Sequence, residues 1–189
     1  MRIIAGKNKG SILHLVKDKN TRPLKDIVRE SIFNLLNHSN KILFNFKKTH
    51  ILDLYAGTGS FGLECLSRQA GMVHFVEKEK IALKILEKNI EKLKFKNKSK
   101  ILSIDVFKFI KTINISETKF DLIFCDPPFK DLDMEELIKL IFENKLLKKN
   151  GILILHRNKN TKETLPGFLN IIDQRNYGIS KIIFGKFLF

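Results

Sequence analysis

Cysteine is nearly missing from the 189 residues: Cys65 and Cys125 are the whole supply. Two thiols far apart in apolar surroundings build neither a disulfide framework nor a metal cluster, so they read as reduced and buried, and no metal is expected. Long apolar runs are missing too. Stretches such as Ile152 to Leu155 are far too short to span a bilayer. The opening Met1-Arg2-Ile3-Ile4-Ala5-Gly6-Lys7 lacks the apolar stretch of a secretory signal, so a cytoplasmic protein with no membrane partner is expected. Acid is in short supply: 20 Asp and Glu face 35 Lys and Arg, leaving a formal charge of +15. That excess favours polyanionic partners. A joint richness in Lys, Ile, Asn and Phe also suggests a base-composition bias that inflates lysine everywhere, so the charge names no substrate. Internal repeats and low-complexity linkers are absent, and the size fits one domain with a small appendage.

The appendage occupies residues 1–40. Ile3-Ile4-Ala5 and Ile12 to Val16 flank a basic, glycine-bounded turn, which predicts a hairpin. Pro23 then suits the first turn of a helix with apolar positions Ile27, Ile32, Leu35 and Leu36. Over residues 41–189, strand-like and helix-like segments alternate. Strands are expected at Ile51–Leu54, Met72–Val76, Ile101–Ile104, Phe120–Cys125 and Gly151–Leu155. Between them fall a helix through Leu63 and Leu66, one from Ile81 to Leu93, one from Val106 to Ile110 and one from Met134 to Leu147. Two late segments, Phe168–Ile172 and Ile182–Phe187, suit an antiparallel edge. The fold class is therefore α/β, a doubly wound and mostly parallel Rossmann-like sheet, with ligands beyond the carboxyl ends of its strands.

At the first of those ends, Asp53-Leu54-Tyr55-Ala56-Gly57-Thr58-Gly59-Ser60-Phe61-Gly62 satisfies G-x-G-x-x-G. Glu77 ends the next strand, where an acid accepts from ribose hydroxyls. This much suits NAD and S-adenosylmethionine equally. Asp53 separates them, because a carboxylate there repels a pyrophosphate but suits an ammonium and a sulfonium. Asp105, with Val106 or Phe107 against the ring, is placed for an adenine amino group. The expected cofactor is S-adenosylmethionine, leaving as S-adenosylhomocysteine. Its expected contacts are Asp53, Tyr55, Ala56, Gly57 and Gly59, then Glu77, Lys78, Asp105, Val106 and Asp126.

Asp126-Pro127-Pro128-Phe129 follows the fourth strand. Consecutive prolines fix the backbone and offer no amide hydrogens, so carbonyls there are left as acceptors. An exocyclic amino group has two hydrogens to give, one to the Asp126 side chain and one to a backbone carbonyl. Phe129 offers a face for base stacking. Methyl transfer needs positioning rather than a titrating nucleophile. Asp126, Pro127, Pro128 and Phe129 are thus the candidate catalytic residues. The pattern matches the signature of amino methyltransferases acting on adenine N6, cytosine N4, guanine N2 or glutamine amides.

More of the chain bears on that choice. Arg2-Ile3-Ile4-Ala5-Gly6, Arg22-Pro23, Val28 to Asn34, Asp53 to Glu64, Leu66-Ser67-Arg68 and Tyr177-Gly178 resemble the RsmD family nearly end to end. The resemblance implies transfer of a methyl group to guanine N2 (nucleotide 966) of 16S ribosomal RNA. It also implies a substrate presented within a small-subunit particle or assembly intermediate; a monomer is the default expectation for the enzyme. Adenine-N6 methylation of nucleic acid, or NAD-dependent oxidation, is the alternative. Leu24, Ile27 and His156-Arg157 depart from the family's usual threonine, arginine and glutamate. Arg2, Lys7, Arg22 and Arg29 are the expected RNA contacts, arginine being suited to bidentate phosphate binding.

Overall fold

A computed structural model describes residues 1–16, 26–113, 119–128, 133–161 and 164–188. The parallel strands β1 (His50–Leu54), β2 (Met72–Glu77), β3 (Ser99–Ser103) and β4 (Phe120–Cys125) alternate with α2 (Ser60–Ser67), α3 (Lys80–Lys92) and α4 (Val106–Thr112). They follow α1 (Asp26–His38) and precede α5 (Met134–Glu143), β5 (Leu147–Asn158), β6 (Leu169–Tyr177) and β7 (Ser180–Phe187). The sheet order is β3-β2-β1-β4-β5-β7-β6, with β7 antiparallel to both β5 and β6. This is the doubly wound sheet with an antiparallel edge that the alternation predicts.

Burial on both faces explains the nearly unbroken apolar strands. On one face, Ile51, Val73, Phe75, Leu122, Phe124, Ile152 and Ile154 pack with α1, α2 and α3. On the other, Leu52, Leu54, Val76, Ile123, Leu153 and Leu155 pack with α4 and α5. An aromatic file crosses the first layer. Phe33 of α1 stacks on Phe61 of α2 at 5.2 Å, and Phe61 stacks on Phe124 of β4 at 4.0 Å. Both thiols are buried as expected, Cys65 in α2 and Cys125 at the end of β4.

Helices here stop without glycine. Gln69, Lys94 and Lys145 take φ of 79°, 60° and 47° just past α2, α3 and α5. In each case the next amide reaches back to close the last turn: Ala70 to Cys65, Phe95 to Ile90 and Leu146 to Ile141. These are Schellman endings with a side chain where glycine is usual. The last one corrects the sequence reading. The helix expected through Leu147 ends at Glu143, and Leu147 already belongs to β5. β5 also runs past the expected end at Leu155, because His156, Arg157 and Asn158 pair with Ile182, Lys181 and Ser180 of β7.

Two helix faces are also rotated from expectation. Ile27 and Ile81 are 65% and 63% exposed, whereas α1 buries Val28, Arg29, Ile32, Phe33 and Leu36. The buried side of α3 is Ala82, Leu83, Leu86, Asn89 and Ile90. A polar residue on each buried face is what misled the apolar count.

The N-terminal segment shares the core of the sheet, since Ile3 and Leu13 join the same cluster as Phe33 and Phe75. The expected hairpin is reduced to one antiparallel bridge, Arg2 to Ile12, with Gly10 donating to the Ile3 carbonyl and Ile3 to the Ser11 carbonyl nearby. Other amides of the segment turn to α2. Ile4 and Ala5 donate to the Glu64 carboxylate at 2.7 and 3.0 Å, and Lys7 donates to the Ser67 carbonyl.

Candidate active site

Strand register lines the site up. Leu54 is level with Val76 and Cys125, and Cys125 is level with Leu155. The next residue on each strand therefore stands in one row along the carboxyl edge: Glu77, Tyr55, Asp126 and His156. Tyr55 has φ of 60°, a backbone region rare for a bulky side chain.

The glycine loop leaves this row and enters α2 under three side-chain restraints. Glu77 Oε2 accepts from the Gly57 amide at 2.8 Å. Asn89 of α3 donates to the Thr58 carbonyl at 3.0 Å, and Asp53 Oδ2 accepts from the Gly62 amide at 3.0 Å. Gly62 has no substitute, because a Cβ there would lie 2.3 Å from the Phe75 ring. Gly57, with φ of +56°, has open space where its Cβ would be. Ala56 and Gly59 are buried beside it.

Asp53 is 1% exposed. Burial pushes its carboxyl well above the usual 3.8; the Gly62 amide opposes this, and the nearby charges of Asp126 and Glu77 add to it. A carboxyl raised on folding binds its proton more tightly in the folded chain. Its contribution to stability is full below pH 3.8 and lost as pH rises through the folded value. Asp53→Asn is accordingly expected to melt closer and closer to, and then above, wild type as pH increases from 4 to 8. The slope difference is at most about 1.4 kcal/mol per pH unit. Parallel melting profiles across that range would refute the assignment.

The remaining acids are more occupied than the sequence suggested. Besides the Gly57 amide, Glu77 accepts from the Lys78 and Glu79 amides through Oε1, at 2.8 and 2.9 Å. A carboxylate offers about four acceptor sites, so a ribose diol shares the fourth or displaces an amide. Asp105 caps α4 through Oδ1, accepting from Phe107 and Lys108, while Oδ2 pairs with Lys78 at 3.1 Å. Burial raises its carboxyl, but the Lys78 hydrogen bond and the two amides outweigh that, and the net direction is down. Val106, the next residue, is buried.

Asp126 sits 20% exposed at the end of β4, with Pro127 buried and Pro128 exposed after it. Its Oδ1 lies 2.7 Å from Nδ1 of His156, whose Nε2 lies 2.9 Å from Oγ of Ser180. Phe129 and Arg22 lie outside the described residues. Among the described residues no group of three or more His, Cys, Asp or Glu could hold a metal ion, and no helix is long and apolar enough to cross a membrane.

The expected RNA contacts divide. Arg2 and Lys7 are exposed. Arg29 is not available to phosphate: it is fully buried, and its guanidinium donates to the Arg2 and Ser60 carbonyls and to Asp26. Burial lowers its pKa, with Asp26 and Glu64 holding it up. Its task is to fix α1 and the N-terminal segment to the start of α2. Ser31 of α1 reaches the Tyr177 hydroxyl, which brings together two distant segments of the family resemblance. Sequence reasoning gave no role to Glu64, Asn89 or Ser180, and met His156 only as a departure from the family pattern. Glu64 had a readable signal, being the one charged residue among the eight of α2.

The family model described as Conserved hypothetical protein 95 matches residues 1–186. Ribosomal RNA small subunit methyltransferase D of Haemophilus influenzae is 32% identical over 180 residues, covering 95% of this chain and 90% of that protein. The protein of the same name from Escherichia coli is 30% identical over 88% of this chain and 79% of its own length. A solved Escherichia coli chain, yhhF, described provisionally as a methyltransferase, superposes with a TM-score of 0.83 at 26% identity, over 99% of this chain and 97% of its own. The fold is the Rossmann-like fold of class I methyltransferases. Family model, full-length relatives and superposition agree with the site's own geometry, and the chain belongs to the RsmD family of methyltransferases.

Proposed function

We propose that the chain transfers a methyl group from S-adenosylmethionine to the exocyclic N2 of a guanine in 16S ribosomal RNA, in the family's position 966. The observation that carries the reading is Asp126, a partly exposed carboxylate at the carboxyl edge, followed by two prolines and level with the glycine loop. Two acids, Glu77 and the partly exposed Asp126, flank a loop with open space above Gly57, and the buried Asp53 carboxyl braces that loop from behind through the Gly62 amide. That donor set suits a ligand carrying positive charge, which favours this cofactor over a pyrophosphate. Tyr55, Ala56, Gly57 and Gly59 would form its cradle, with Glu77 and Lys78 towards the ribose and Asp105 and Val106 towards the adenine. When bound, it supplies an electrophilic methyl group. Asp126 and the Pro127 carbonyl accept the two amino hydrogens, which draws the nitrogen lone pair out of conjugation, and the Asp126 carboxylate takes the proton released. Phe129 is assigned the stacking face from sequence.

Names of relatives that include the small ribosomal subunit support an RNA substrate, and a charge of +15 agrees. Arg2, Lys7 and Arg22 remain the proposed phosphate contacts within residues 1–40. So little dedicated RNA-binding mass favours a substrate preassembled with protein, met by a monomer in the cytoplasm. Labelled S-adenosylmethionine with undermethylated small subunits is expected to put label on guanine N2, more strongly than with naked 16S RNA. Transfer is expected to weaken as salt rises, by roughly one power of ten in affinity for each few phosphate contacts between 50 and 200 mM. Label on adenine N6, or binding of NADH without binding of S-adenosylmethionine, would overturn the reading.

A further inference from the structure

We propose that His156 is a positioning residue that holds Asp126 for the reaction, with Ser180 setting the proton arrangement of its ring. The inference rests on the methyltransferase reading of Asp126. β5 continues through His156 because residues 156–158 pair with β7, so the imidazole is carried by a strand between two neighbours rather than by a loop. Its ring is wedged between a carboxylate and a hydroxyl, at 2.7 and 2.9 Å, and the residue is 6% exposed. Ser180 is 3% exposed, too enclosed to meet a substrate itself.

The chemistry of the three groups fixes the direction of the chain. An ionised carboxylate has no hydrogen to give, so the hydrogen between it and His156 belongs to Nδ1. In a neutral ring Nε2 is then a bare acceptor, and the Ser180 hydroxyl is the group that donates to it. Ser180 thus selects the tautomer that Asp126 needs. The hydrogen bond commits Oδ1 of Asp126 to the ring, so an incoming amino hydrogen is accepted at Oδ2. The carboxylate is kept from rotating, and its two oxygens acquire separate duties. A site needs this when rate depends on holding acceptors where the reacting amine will be.

A merely structural histidine would affect folding alone, and two variants separate the roles. Asparagine places a side-chain amide where Nδ1 stands, whereas leucine fills the space without a donor. Both lose the Ser180 hydrogen bond. His156→Leu is expected to lower kcat on the order of tenfold or more. KM for S-adenosylmethionine and for the small subunit should move less than about threefold, since ground-state binding is untouched. His156→Asn is expected to recover most of kcat at similar thermal stability. Equal impairment of the two variants, or full kcat in His156→Leu, would overturn the proposal. Nitrogen-15 NMR of the His156 ring is expected to show the hydrogen on Nδ1 and a bare Nε2; a hydrogen on Nε2 alone would also overturn it. The NMR result does not depend on turnover. A wild-type protein that shows the expected tautomer but transfers no methyl group would therefore strike the methyltransferase reading, while an intact wild-type activity indifferent to His156 would strike this inference alone.

Discussion

Asp126→Ala is expected to cut methyl transfer about a hundred- to a thousandfold, the usual cost of removing one group aimed at developing charge. Affinity for S-adenosylmethionine should fall far less, because the glycine loop, Glu77 and Asp105 are tied down by bonds that do not involve Asp126. The substitution also strips His156 of its 2.7 Å partner, so a loss of about 1–3 kcal/mol in stability is expected alongside. Calorimetric titration of the cofactor, run on material shown to be folded, separates the two effects. Asp126→Asn sharpens the comparison. Its carbonyl still accepts an amino hydrogen but takes up no proton, so activity well above that of the alanine variant would mean acceptance matters more than proton removal. Turnover within tenfold of wild type for Asp126→Ala would show that the chemistry lies elsewhere.

The second large effect is expected far from the reacting atoms. Glu64 is completely buried, and its carboxylate gathers the Ile4 and Ala5 amides and the Arg68 guanidinium at 2.7, 3.0 and 2.7 Å. Arg68 lies in turn 4.5 Å above the Phe33 ring. Glu64→Ala leaves a cation and two amides without their acceptor, and truncating one member of a buried charged pair costs about 3–5 kcal/mol. That is a large share of the 5–15 kcal/mol typical of a domain. Glu64→Gln keeps one acceptor oxygen but turns an NH2 group against an amide donor, so an intermediate loss is expected. Urea unfolding should rank wild type above glutamine above alanine. Hydrogen exchange at Ile4 and Ala5 should accelerate in both variants. An alanine variant within 1 kcal/mol of wild type would mean the carboxylate is dispensable.

Strand alternation and the two signature loops were readable because each follows from local chemistry. Apolar runs bounded by polar turns locate β1 to β4, and prolines and glycines mark the loops. What escaped was non-local or lacked its customary marker. α5 was read too long because Lys145 does the work of a glycine. Ile27 and Ile81 were assigned inward because Arg29 and Asn89 occupy core-facing positions that an apolar count skips. Arg29 was read as a phosphate ligand because a guanidinium suits phosphate, yet its acceptors are carbonyls supplied by Arg2 and Ser60. His156 was visible as a departure from the family pattern. Its meaning needed the register that sets β5 beside β4 and the turn that returns Ser180 to the same place.

The anchoring of residues 1–16 bears on the order in which the chain assembles as it is made. Ile4 and Ala5 wait for Glu64, about 60 residues later; His14 waits for Asn89, 75 residues on, and Asn8 for the Leu93 carbonyl, 85 on. α1 is joined to Tyr177 across 146 residues. These segments leave the ribosome before these distant partners exist, and contacts of such long separation form slowly. The basic segment proposed to face RNA is thus synthesised well ahead of the partners that secure it. Until α2 and α3 have folded, a basic and partly apolar stretch stands uncovered beside the polyanion that is making it.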